Sequence, residues 1–172
     1  MKNIILCENL YDNVDSLNLM FKDMLYEDQL FGSEIADFQY IPPGITDRFK
    51  FYTNDDIEVQ ADTGILRKPN SLIHVEPFYQ HCMWICVVAL EDARLTIWEQ
   101  ETVKTFFDVP QEELSSFIQN NCQDGSKWEI NTTINMKKNT FAFIRPWMWY
   151  SLTEGKLVQV FLLNKNLTQV QE

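Results

Sequence analysis

Residues 73–98, IHVEPFYQHCMWICVVALEDARLTIW, carry the strongest fold signal in the chain. The stretch opens on His74-Val75-Glu76, an imidazole and a carboxylate two residues apart. In an extended strand, side chains i and i+2 share a face, so His74 and Glu76 converge on one spot. Residues 82–90 are almost wholly apolar and rich in Val and Ile, which predicts a strand buried on both faces. Glu91-Asp92-Ala93 reads as a turn, and residues 94–98 alternate like the returning arm of a hairpin.

Working outward, 172 residues are one domain's worth, enough to bury a sizeable core. With 45% hydrophobic and 23% charged residues the chain is globular rather than disordered. Fourteen basic against 25 acidic side chains give a net charge of −11, which argues against binding a nucleic-acid backbone or an anionic membrane. Residues 1–10 lack a basic start followed by a long apolar core, and no apolar run approaches the ~20 residues of a spanning helix. The expectation is a soluble, cytoplasmic protein. Cys7, Cys82, Cys86 and Cys122 have no framework spacing and read as reduced packing residues.

Upstream, residues 3–7 read as an opening strand. Asp12 or Asn13 then caps a helix running to about Leu25 or Leu30, with a stripe at Leu17, Met20, Phe21, Met24 and Leu25. Gly32 fits the helix end or the turn after it, and Pro42-Pro43-Gly44 is a turn. Residues 49–52 and 57–59 alternate as short strands, and 67–71 is a polar approach to the central stretch. Downstream, residues 108–113 start a short helix with Leu114, Phe117 and Ile118 on its inner side. Asp124-Gly125 is a turn, and Trp128, Ile130, Thr132 and Ile134 form the inner side of a half-buried strand. Lys138-Asn139 turns into a strand at 140–145. Glu154-Gly155 is another turn, residues 157–163 are the last strand, and the tail from Asn164 is polar. The five tryptophans read mostly as core. In Pro146-Trp147-Met148-Trp149-Tyr150, large side chains crowd an expected turn, so some must line a pocket mouth or an interaction patch.

An HxE at the head of a buried stretch, followed by a strand–turn–strand run from Thr140 that ends in Gly155-Lys156, resembles the cupin-type double-stranded β-helix of Fe(II)/2-oxoglutarate oxygenases. The opening ILCENLYDNVDSLNLMF resembles that of small phage-type members, and the likeness covers most of the chain in the order of its elements. The resemblance implies a mainly β (α+β) jelly-roll barrel with one longer N-terminal helix and one short helix packed outside. The single domain spans 1–172: strand and helix at 1–35, barrel at 36–163 and polar tail at 164–172. It also implies Fe(II) held by His74, Glu76 and a distal histidine, and a basic residue for the 2-oxoglutarate carboxylate.

This sequence departs from that pattern. No histidine stands near Trp149 or Tyr150, and the second of its two histidines is His81. Candidates for the third ligand are Tyr150 and His81; candidates for the carboxylate anchor are Lys156 and Arg145. A soft site of His81, Cys82 and Cys86 fails on geometry, because 81 and 82 face opposite sides of a strand. Three functions follow. One is a non-catalytic oxygenase-like scaffold, with no cofactor, that binds a protein partner or small molecule through Trp147, Met148, Trp149 and Tyr150 or the old pocket. The second is an active Fe(II)/2-oxoglutarate oxygenase with an altered triad. The third is an acidic protein that mimics a partner.

Overall fold

The computed structural model describes residues 3–30, 33–69, 71–76, 81–154 and 157–168. The protein is mainly β, with antiparallel sheets and, among the described residues, three α-helices. The strands are β1 (Ile4–Glu8), β2 (Tyr26–Leu30), β3 (Ser33–Gln39), β4 (Ile57–Val59), β5 (Ile65–Pro69), β6 (Cys82–Ala89), β7 (Ala93–Glu99), β8 (Glu129–Met136), β9 (Thr140–Ile144), β10 (Trp149–Thr153) and β11 (Val158–Lys165). The helices are α1 (Val14–Phe21), α2 (Ile45–Thr53) and α3 (Leu114–Asn121). The large sheet runs β1-β9-β6-β11-β5-β3-β2, with β4 also on β11; the small sheet is β10-β7-β8.

Strand β6 is buried on both faces, as its composition predicts, and its period of two splits the core. Trp84, Cys86 and Val88 pack with α1 and α2, through Leu17, Phe21 and Phe49. Ile85, Val87 and Ala89 face the opposite way, among Leu95, Ile97 and Leu152 of the small sheet. A third cluster joins α3, through Leu114 and Phe117, to Trp128, Trp149 and Val75. Cys7, Cys82, Cys86 and Cys122 are free and buried. Among the described residues no helix is long and apolar enough to cross a membrane.

Several local expectations are corrected. Strands β6 and β7 do not form a hairpin: β6 pairs β9 and β11, whereas β7 pairs β8 and β10. Leu90 and Glu91 donate backbone N–H bonds to the Leu157 carbonyl, and Asp92 accepts from the Lys138 N–H, so the turn hands the chain from one sheet to the other. The N-terminal helix is not the long one. It ends at Phe21, Met20 and Leu25 are exposed, and β2 follows, where Tyr26 donates to the Phe21 carbonyl.

Residues 49–52 are helix, not strand. Gly44 at φ 75° turns the chain into α2, and its inner side is Ile45, Phe49 and Thr53, four residues apart. The alternating Phe-Lys-Phe-Tyr hides that spacing. Strand β8 leaves Ile130 60% exposed beside a β-bulge, and Ile118 on α3 is also exposed. Residues 67–69 belong to β5, and the last strand reaches Lys165. The expected turn or helix end at Gly32 lies outside the described residues.

Candidate functional site

The His74-Val75-Glu76 stretch meets the first residues of β10. His74 and Tyr150 form an isolated antiparallel bridge, with N–H to carbonyl distances of 2.9 and 3.0 Å in the two directions. Their rings lie 4.4 Å apart, centroid to centroid. Both side chains point toward Glu76, as the period of two requires for His74. The Tyr150 hydroxyl donates to Glu76 Oε1, and His74 Nε2 lies 3.3 Å from the same oxygen. The other ring nitrogen, Nδ1, lies 2.9 Å from the Leu72 carbonyl, which fixes the plane of the imidazole.

The residue that sequence reasoning missed is Arg67. It sits on β5, and its guanidinium grips Glu76 with two parallel hydrogen bonds, Nη1 to Oε1 at 2.6 Å and Nη2 to Oε2 at 2.8 Å. This fork-on-fork geometry is the strongest ion pairing available to a carboxylate. Both residues are buried, at 3% and 1% exposure. The available signal was a lone arginine in Ile65-Leu66-Arg67-Lys68, two positions after an apolar residue at the head of an unrecognised strand. The Arg67 Nε–H is buried without a hydrogen-bond partner among the described residues.

The electrostatics follow from burial and contact. Burial on its own would raise the Glu76 pKa. The Arg67 charge, the hydrogen bonds to His74 and Arg67 and the nearby imidazole together outweigh it and hold the carboxyl well below the usual carboxylate range. Burial and the adjacent Glu76 charge push the Tyr150 phenol well above its ordinary value, so it stands as a hydrogen-bond donor at neutral pH. Burial opposes the Arg67 charge, but Glu76 more than compensates. A cleft of about 190 Å³ opens beside the pair, lined by Gln60, Asp62, Thr63, Ile65, Val160 and Leu162.

The structure therefore brings together His74, Glu76 and Tyr150, with Arg67 added. It does not bring His81 or Arg145 to them. His81 is exposed at the start of β6, where its carbonyl accepts from the Lys165 N–H. Arg145 lies over the ring of Trp84, its guanidinium carbon 3.6 Å from the centroid. Lys156 lies outside the described residues.

The large side chains of 147–150 divide. Trp149 and Tyr150 are fully buried in β10, whereas Trp147 and Met148 are half-buried. The Trp147 ring lies 6.0 Å from that of Phe107, tilted by 40°; Phe107 is 66% exposed and was not foreseen. A backbone bond from Phe106 N–H to the Trp147 carbonyl, 2.8 Å, pins that loop to the turn. Among the described residues no group of three or more His, Cys, Asp and Glu side chains is placed to hold a metal ion.

Comparison of the chain with models of protein families, with curated proteins and with solved structures finds no match.

Proposed function

We propose that this protein is a non-catalytic double-stranded β-helix that acts by binding a protein partner or a small molecule. The order of the strands supports the fold. From β5 onward the chain alternates between two layers: β5 in the large sheet, His74 bridged to the small one, β6 large, β7 and β8 small, β9 large, β10 small, β11 large. That alternation supports the winding of a jelly roll.

The observation that carries the function is the saturation of Glu76. Oε1 is engaged by Arg67, Tyr150 and His74, and Oε2 by Arg67. A divalent cation on Glu76 and His74 would sit against the Arg67 guanidinium, and its third neighbour would be a protonated phenol rather than a neutral imidazole. These residues do not fit Fe(II). They fit an internal strut that ties β5, the 73–76 segment and β10 together. Binding then falls to the rim of Trp147, Met148 and Phe107, or to the cleft beside Arg67.

The reading is tested by anaerobic titration of the protein with Fe(II) and 2-oxoglutarate, together with an assay for succinate in air. No charge-transfer band and no succinate above a protein-free control are expected. A saturable band, or turnover of 2-oxoglutarate, overturns the proposal. It would favour the active-oxygenase alternative, whose own support is that His74, Glu76 and Tyr150 converge.

A further inference from the structure

A second cleft, of about 360 Å³, lies away from Glu76 and is lined by Ile5, Tyr52, Thr53, Asn54, Asp55, Trp84 and Arg145. Its construction begins at the end of α2. Asn54 takes the left-handed conformation, φ 57°, and its N–H closes the helix on the Lys50 carbonyl at 2.8 Å. The chain leaves the helix there and presents Asp55, whose Oδ2 accepts from the Trp84 indole N–H at 2.7 Å. The same indole positions the opposite charge. The Arg145 guanidinium lies over its ring, and Arg145 Nη1 donates to the Met83 carbonyl at 3.0 Å.

One rigid, buried tryptophan thus fixes an anion with its edge and a cation with its face. Both charges line one cleft: burial lowers the Arg145 pKa, and the Asp55 charge offsets part of that. No direct ion pair joins Asp55 to Arg145 among the described residues. The carbonyl end of α2 adds negative potential on the Asp55 side. Ile5 and Tyr52 supply apolar wall, and the volume is at the small end of ligand pockets.

The match to such a site is a small molecule with both signs of charge. A simple anion is repelled by a chain of net charge −11, and a simple cation would engage Asp55 alone of the two charges that line the cleft. We infer that this cleft binds a free α-amino acid, with its ammonium group on Asp55, its carboxylate on Arg145 and its side chain along Tyr52 and Ile5.

The experiment follows the Trp84 indole N–H in nitrogen–proton correlation spectra of the full chain, assigned with Trp84→Phe, during titration with each proteinogenic amino acid at millimolar concentration. At least one should move the resonance saturably. The N-acetyl and carboxamide derivatives of that amino acid should each bind about tenfold more weakly, since each removes a charge-assisted contact. Asp55→Asn keeps an acceptor for the indole and removes only the charge, so it should weaken binding while the melting temperature holds. Arg145→Gln should weaken it too; if that variant unfolds, Asp55→Asn carries the test. Absence of a saturable shift from any amino acid overturns the inference, as does equal affinity for the N-acetyl derivative.

Discussion

The Arg67 guanidinium holds the Glu76 carboxylate through both of its terminal nitrogens, at 2.6 and 2.8 Å, with both partners out of contact with solvent. Removing one member of such a pair leaves an uncompensated charge in the interior, which costs about 3–5 kcal/mol. Arg67→Met should therefore lower the free energy of unfolding by that amount in urea titrations. Adding Glu76→Leu should recover part of the loss, because the orphan charge is gone, although Tyr150 and His74 then lose their acceptor. A single variant no less stable than the parent would contradict the strut.

The same contact makes stability depend on pH, and the direction is fixed. Glu76 takes up its proton near pH 4.3 in an unfolded chain and only well below that in the folded one. As pH falls through about 4.3, the unfolded state binds the extra proton first, so folding loses stability. Above that range the contribution is fully present and level. Exposed carboxylates such as Asp92 and Asp108 are also lowered, by backbone hydrogen bonds, and add a slope of their own. The expected result is that melting temperatures of the parent and Glu76→Gln differ most at pH 7 and converge in acid.

The convergence of His74 and Glu76 was legible because a period of two needs no tertiary information. So were the doubly buried β6 and the turn at Lys138-Asn139. Arg67 was not, since a buried arginine looks like a solvated one until its carboxylate is placed, and that partner lies nine residues away on another element. The sheet switch after Leu90 was equally hidden. A turn of this length fits a hairpin as well, and the choice is made by Leu157, far along the chain. Burial of Trp149 and Tyr150 followed from a strand that takes in the last two residues of the expected turn.

Gly64 and Gly44 both have positive φ, 83° and 75°, yet their surroundings differ. A Cβ on Gly44 would meet nothing within 4 Å, so Gly44→Ala should carry only the backbone penalty of the left-handed region, about 1–2 kcal/mol. A Cβ on Gly64 would lie 2.8 Å from the Phe161 ring and 2.9 Å from the Tyr40 carbonyl. Gly64 also accepts from Gln159 Nε2 through its own carbonyl, so the backbone cannot shift freely. Gly64→Ala should cost at least ~1 kcal/mol more than Gly44→Ala in the same denaturant titration, because overpacking adds to the backbone penalty.

Phe49 and Phe51 separate the helix at 45–53 from the strand that their spacing invites. On a strand the two rings would share one face and respond alike to truncation. On α2 they point apart: Phe49 is fully buried, edge-on to Phe143 at 5.3 Å and to Phe161 at 5.5 Å, whereas Phe51 is 81% exposed. Phe49→Ala should cost about 3–5 kcal/mol through lost burial and the cavity left among three rings. Phe51→Ala should stay within about 0.5 kcal/mol, as surface changes do, with a slight gain possible from the better helix former. Equal losses at the two positions, read from urea midpoints at constant m-value, would put residues 49–52 back in a strand.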